Sequence, residues 1–284
     1  MTWRTINLSD MDNYDGHVLD YARAAVVALA RETGIQLEPM IITITSQIPP
    51  ASGLSSSAAV IVATLGAVSC YFGLNLSREK ICAIAYSTEA SELATGAGQM
   101  DFYSCALGSI IYLDCSNQPP QPLERFTPNM TLRPVVIDTR VRHSTKQSIF
   151  QKRQRLARED PDLLLYVTET LSAVRGMREI LLADRPCHDD ICKYLFSNHD
   201  SLRRYMGVST DLIDECIGVC LDAGAAGAKL TGSGLGGCLF AFVNDAQTPE
   251  LVNRLNGYPV DVFPTTLDFD GLVVENSGSC ACPV

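Results

Sequence analysis

The sequence lacks a basic excess, a C-x-x-C pair, an internal repeat and a signal-peptide start, and each absence removes a class of function. Acidic residues outnumber basic ones 32 to 22, a formal net charge of −10, so there is no general footprint for a phosphate backbone and nucleic acid is not expected as a partner. Any anionic ligand must be held locally, by backbone N–H groups, a metal ion or a few placed cations. Eleven cysteines are scattered along the chain, and the opening MTWRTINLSD has neither the basic nor the apolar region of a signal peptide. Reduced thiols in a cytoplasmic protein are therefore expected. Cys216 and Cys220 stand four apart on an expected helix, and Cys280 and Cys282 bracket one residue. No histidine stands at ligand spacing from either pair, so both are read as buried small hydrophobes rather than metal ligands. Residues 58–76 are apolar and about as long as a membrane span, but Thr64, Ser69 and Asn75 interrupt them and no basic cluster flanks their start. A buried core helix is the expectation, and no membrane partner.

What is present is material for a core: 284 residues, 46% hydrophobic and 19% charged. That composition excludes a disordered, low-complexity or collagen-like chain and argues against a coiled coil, and the length suits one large or two modest domains. Helical spacing runs over residues 18–32 and stops at Thr33-Gly34; a β-branched alternating run at 40–48 predicts a strand ended by Pro49-Pro50. Ser77 is the expected N-cap of a helix that carries Glu89 and Glu92 near its far end. Further strands are expected at 109–115, 133–139, 228–231, 237–243 and 271–275, and helices at about 144–184 with a break at Asp160-Pro161, at 188–205 and at 210–223. Four prolines make 117–128 the best linker. Without regular βα alternation, two α+β domains are favoured over a barrel or a doubly wound sheet.

Three segments carry chemistry. In PPASGLSSSAA, residues 49–59, Gly53 permits a tight turn and three serines bring hydroxyls and N–H donors to the positive end of a helix. That is a phosphate cradle, or else an ordinary serine-capped helix after a turn; the Gly-Lys-Ser/Thr ending of a Walker A loop is absent. In GAKLTGSGLGGC, residues 227–238, Gly232, Gly234, Gly236 and Gly237 stand between two strand-like runs, where a ligand or another chain segment can approach the backbone. In EASELATGAGQMD, residues 89–101, two carboxylates stand at i and i+3 on a helix and a third follows a flexible turn. Magnesium on ATP needs only one or two protein carboxylates; the alternative is a solvated helix end with Asp101 capping the next element. Seven Lys and Arg residues from Arg140 to Arg158 form the only basic cluster. It reads as a solvated helix face, with Arg140 or Arg142 reaching an anionic ligand as the alternative.

Taken in order, these segments resemble the GHMP kinases, the family of galactokinase, homoserine kinase, mevalonate kinase and phosphomevalonate kinase. GLSSSAA at 53–59 is similar to their phosphate-binding motif and KLTGSGLGGC at 229–238 to their glycine-rich C-terminal motif. Within the family the resemblance leans to galactokinases: GQMDFYSCALG at 98–108 is similar to their GxMDQ segment. VRHS at 141–144 with KR at 152–153, and NHDSLRRYMGVS at 198–209, resemble their middle and late regions. Phe102 stands where galactokinases have Gln and Ala97 where they usually have Cys, and the ending VFPTTLDFDGLVVE looks more like archaeal-type mevalonate kinases.

The resemblance implies an α+β, two-domain fold: an incomplete N-terminal domain of the ribosomal protein S5 domain 2 type over 1–128 and a ferredoxin-like C-terminal domain over 129–284. It implies that ATP's phosphates lie on Gly53, Leu54, Ser55, Ser56, Ser57 and Ala58 and on Gly232, Ser233, Gly234 and Gly236. It further implies that Ser57 and Glu89 hold Mg2+ and that Asp101 is the catalytic residue facing an acceptor hydroxyl. The family's opening motif, which supplies a basic residue beside that aspartate, has no counterpart in MTWRTINLSDMDNYDGH, so the N-terminal domain reads as truncated. Residues 40–48 should then show an unpaired edge or apolar face, covered either by residues 2–8 or by a second subunit in a homodimer. The function implied is an ATP-dependent kinase of a small-molecule sugar hydroxyl, with mevalonate as the other acceptor and a nucleotide-binding sensor or inactive homologue as the reading from another class.

Overall fold

The structure is a computed structural model that describes residues 4–117, 120, 123–128, 132–142 and 145–275. Cys280 and Cys282, His143 and Ser144, and residues 2 and 3 of the expected edge strand lie outside the described residues. The chain divides into two compact units, one holding the residues up to Ser46, Ser57–Arg125 and the stretch from Asp268 on, the other Gln47–Ser56 and Phe126–Leu267. Two segments leave their sequence neighbours. The Cys238 N–H donates to the Ser52 carbonyl at 2.8 Å, tying 47–56 into the second unit, and the Leu272 N–H donates to the Ala106 carbonyl at 3.0 Å, tying the late stretch into the first.

In the first unit α1 (Asp20–Thr33) buries Ala24, Ala25 and Leu29. It ends at a left-handed Gly34 whose N–H closes on the Ala30 carbonyl at 2.8 Å, the stop that Thr33-Gly34 predicts. The apolar α2 (Ser56–Tyr71) is a core helix, with Ile61 and Leu65 fully buried. Ser77 caps α3 (Arg78–Ser87), accepting from the Lys80 N–H at 3.2 Å. Then follow α4 (Met100–Leu107), buried through Phe102 and Ala106, and a two-stranded sheet of β1 (Ile110–Leu113) and β2 (Leu123–Phe126). The expected linker therefore contains a strand: Leu123 packs on the core, which four prolines nearby concealed.

The strands expected at 40–48 and 271–275 are absent. At 40–48 the alternation is right for a strand, but a ladder needs a neighbour, and no described residue supplies one; Ile41 is 96% exposed, with Ile42 and Ile44 also exposed. At 271–275 the chain docks without a ladder: Leu272 packs on Gly66, and Gly271 lies against Gly108, each with positive φ. A Cβ on Gly271 would sit 2.5 Å from the Gly108 nitrogen. Gly271→Ala is expected to cost about 2 kcal/mol or more, from left-handed strain plus the clash. Urea unfolding checks this, and an unchanged midpoint would refute it.

The second unit is built on an antiparallel sheet ordered β4-β5-β3-β6, from β3 (Pro134–Asp138), β4 (Gly227–Leu230), β5 (Cys238–Phe242) and β6 (Asp261–Pro264). Alternate residues Val135, Ile137, Ala228, Leu230, Leu239 and Ala241 are buried on one face, while Lys229, Phe240 and Val136 lie in register on the other. α5 (Thr145–Ala157), α6 (Pro161–Leu182), α7 (His188–Ser201), α8 (Asp211–Asp222) and α9 (Thr248–Leu255) complete the unit. The expected break before α6 is an N-cap: Asp160 accepts from the N–H groups of Asp162 and Leu163 ahead of Pro161. Cys216 and Cys220 are fully buried in the core, and burial pushes their thiols up to about 11 and about 12. Among the described residues no helix is long and apolar enough to cross a membrane.

Candidate active site

The loop that begins at Pro49 runs through the second unit and enters α2, in the first, between Ser56 and Ser57. Its partner within the second unit is the β4–β5 hairpin. Gly53 has φ +79° and lies so close to the hairpin that a Cβ would meet the Thr231 carbonyl oxygen and Oγ1 at 3.0 Å; a Cβ on Gly232 (φ +63°) would in turn sit 2.8 Å from the Gly53 Cα. The hairpin is closed by the Thr231 N–H and Oγ1, both donating to the Cys238 carbonyl. Gly234 and Gly236, also at positive φ, would clash through a Cβ with Val208 and Val141. At these positions another chain segment makes the close approach and fixes the loop from three sides.

A second group of the expected site residues lies within the first unit. Ser57, in the first turn of α2, donates from Oγ to Glu89 Oε1 at 3.2 Å. Glu89 is carried on a single π-helical turn, Thr88–Glu92, with the Leu93 N–H reaching the Thr88 carbonyl five residues back. This extra residue per turn is why Glu89 and Glu92 do not act as a pair. Glu92 turns to Arg31 of α1, with which it forms an ion pair, while Glu89 is 7% exposed and held by Ser57 and Thr95. The expected face of two carboxylates at i and i+3 is corrected accordingly. Thr95, to which sequence reasoning assigned no role, donates from Oγ1 to the Glu89 carbonyl at 3.2 Å and accepts from the Ala97 N–H at 3.2 Å, setting the turn that leads to Asp101. Only its place in the quoted TGAG turn could have pointed to it. Asp101 occupies the first turn of α4, inside the helix, so it does not cap the element as the alternative had it.

Burial raises the Glu89 carboxyl above the usual carboxylate range and the nearby Asp101 charge raises it further, with the hydrogen bonds from Ser57 and Thr95 opposing. A buried carboxylate, a hydroxyl on it and a second anionic group nearby fit a hard divalent cation with oxygen ligands. The described residues hold no cluster of three or more His, Cys, Asp or Glu suited to a metal, so such an ion would need ligands from its nucleotide. Ser56, Ser57 and Ala58 present the first-turn amides of α2, which have no carbonyl one turn back. Arg140 and Arg142 are engaged elsewhere: Arg142 grips Asp138 at 2.6 and 2.7 Å and Arg140 binds Asp261 through Nε at 2.9 Å.

Residues 20–109 match the family model for the GHMP kinases N terminal domain and residues 177–259 that for GHMP kinases C terminal. A mevalonate kinase of Thermococcus gammatolerans is 34% identical over 262 residues, 91% of this chain and 75% of that one. A mevalonate kinase of Pyrococcus horikoshii is 36% identical over 81% of this chain and 67% of its own. A galactokinase of Thermosipho africanus is 30% identical over 75% of this chain and 67% of its own. Among solved structures, the Methanococcus jannaschii mevalonate kinase superposes with a TM-score of 0.75 at 22% identity (93% and 80% covered), and the Lactococcus lactis galactokinase complexed with galactose with 0.73 at 20% (93% and 79%). At those identities the likeness is one of fold.

Proposed function

Because the chain belongs to the GHMP kinase family, whose members are ATP-dependent phosphotransferases acting on hydroxyl groups, we propose that it phosphorylates mevalonate. The observation that carries the site assignment is Glu89, a carboxylate buried beside Ser57 and Thr95 and near Asp101's charge. In this reading the amides of residues 53–58 and of Gly232, Ser233, Gly234 and Gly236 cradle the triphosphate. Ser57 and Glu89 hold Mg2+, which when bound neutralises charge on the phosphates. Thr95 keeps the Glu89 carboxylate aimed, and Asp101 orients the acceptor hydroxyl and takes its proton. Mevalonate is favoured over a sugar because the mevalonate kinases share more identity over more of the chain than the galactokinase does. The specific observation on the other side is GQMD at 98–101, with the galactokinase-like Met before Asp101.

ADP release from Mg·ATP with mevalonate and with galactose separates the two. At least tenfold faster turnover with mevalonate is expected; the reverse ratio installs the sugar reading, and ATP binding without turnover on any alcohol installs the nucleotide sensor.

The buried carboxylate also fixes a pH dependence. A carboxyl raised on folding favours the protonated fold, so its contribution to stability falls as pH rises from the ordinary carboxylate range through the raised value. A cation needs the ionised form, so stabilisation by Mg·ATP should grow over the same interval. Melting with and without Mg·ATP at about pH 5 and about pH 7.5 should show the larger increment at the higher pH, and Glu89→Gln should erase the difference. An equal increment at both would remove Glu89 from the metal site.

A further inference from the structure

Four consecutive residues in the loop of the β4–β5 hairpin have positive φ: Gly234 (+78°), Leu235 (+64°), Gly236 (+125°) and Gly237 (+75°). Glycine adopts that region freely, whereas a leucine there is strained and persists only where its surroundings hold it. At Leu235 the hold is on the backbone. Its N–H donates to the Val208 carbonyl at 2.6 Å, and Gly234 lies against the same carbonyl, where a Cβ would come within 2.5 Å of the oxygen. At the far end of the run the Gly237 N–H donates to the Val141 carbonyl at 2.8 Å. Val208 belongs to the stretch 198–209, singled out in the sequence and so far without a role. It sits in the turn between a single π-helical turn, Leu202–Met206, and α8. One carboxylate gathers that turn. Asp214, in the first turn of α8, accepts from Ser209 Oγ at 2.5 Å through Oδ1 and from Arg203 Nε at 3.0 Å through Oδ2. The buried His199 of α7 brings Nε2 to 3.8 Å from Oδ1. Asp214 thus joins the end of α7, the residue after Val208 and the start of α8, all within the second unit.

We propose that Asp214, acting through Ser209, is a positioning residue for the nucleotide: it fixes the Val208 carbonyl, and that carbonyl holds Leu235 and the loop amides beside it in the arrangement that receives phosphate. The proposal rests on the assignment of Gly232, Ser233, Gly234 and Gly236 to ATP made above. Asp214 itself touches neither nucleotide nor acceptor in this reading, and its effect is on how much of the time the loop is competent. A site competent for only a fraction of the time binds with its affinity reduced by that fraction. Without the Val208 contact, Leu235 returns to the negative-φ regions that a leucine prefers. The Ser209 bond is suited to the task because a hydroxyl on a carboxylate makes a charge-assisted bond, stronger than one between neutral groups.

The test uses Ser209→Ala and Asp214→Ala in the full chain, with amide hydrogen exchange read without nucleotide and Mg·ATP affinity read by calorimetry. Each variant should speed exchange at the Leu235 amide by about tenfold or more and leave the Gly237 amide, which Val141 holds, at the wild-type rate. A change that merely loosened the fold would speed both. Each should also weaken Mg·ATP binding by about tenfold, and Ser209→Thr, which keeps the hydroxyl, should restore both properties. Leu235→Gly removes the strain that the contact opposes, so in that background Ser209→Ala should weaken binding by less than about twofold. Asp211→Ala, an exposed charge removed from the same first turn of α8, should alter neither exchange nor affinity. Equal acceleration at Leu235 and Gly237 would overturn the proposal by giving Asp214 to the fold. Wild-type affinity in both alanine variants would overturn it alone, leaving the ATP assignment standing. A wild-type chain that binds no Mg·ATP would overturn that assignment and this proposal together.

Discussion

Asp101→Asn is expected to lower turnover by about a hundredfold to ten-thousandfold, the usual range for removing a general base, while leaving Mg·ATP affinity within about twofold of the wild type. A carboxylate is too weak a base to deprotonate an alcohol in advance, but phosphoryl transfer is loose and releases the hydroxyl proton late, so a positioned acceptor is sufficient. The amide keeps the shape of the side chain in the first turn of α4 and loses that acceptor. A second readout separates this from a structural role. The Asp101 charge is one of the influences that raise the buried Glu89 carboxyl, so removing it should bring Glu89 down and leave the nucleotide-free protein at least as stable at neutral pH. Retention of more than about a tenth of the wild-type rate, a barrier change under roughly 1.4 kcal/mol, would show that Asp101 is not the base. Loss of turnover together with a fall in melting temperature would assign it to the fold instead.

What could be read in the sequence is what local chemistry decides. The left-handed stop at Gly34, the Ser77 cap and the Asp160-Pro161 start of α6 each depend on residues within one turn, and each stands where the sequence signals it. β6 carries no such signal of its own: it exists because Asp138 and Val135, more than 120 residues earlier, offer it a ladder. The reverse holds at 40–48, where the alternation is correct and a described neighbour is wanting. At the site, the residue types of Ser57, Glu89 and Asp101 were legible from their motifs. The π turn that parts Glu89 from Glu92 was not, because nothing in TEASE marks where a helix takes up an extra residue. Nor could spacing show that Arg140 and Arg142 are engaged by Asp261 and Asp138, since one of those partners lies 121 residues away and the other is buried by the sheet.

Gly53→Val should weaken Mg·ATP binding at least tenfold, about 1.4 kcal/mol or more, because two requirements meet at that residue. The backbone is at φ +79°, a region that costs an L residue about 1–2 kcal/mol and a β-branched one more. The direction a Cβ would take is blocked at 3.0 Å by the Thr231 carbonyl oxygen, a backbone atom that the hairpin hydrogen bonds to Cys238 hold in place. The loop can admit valine only by withdrawing from the hairpin, and the Cys238 N–H, which donates to the adjacent Ser52 carbonyl, must then lose its acceptor. Faster hydrogen exchange at the Cys238 amide should therefore accompany the weaker binding. Gly73→Ala is the matched control: φ is +64° and no atom lies within 4 Å of the added Cβ, so it carries the backbone strain without the collision and should leave ATP affinity unchanged. Calorimetry showing wild-type affinity in Gly53→Val, with Cys238 exchange also unchanged, would mean that the loop tolerates the branch and that its contact with the hairpin does not shape the nucleotide site.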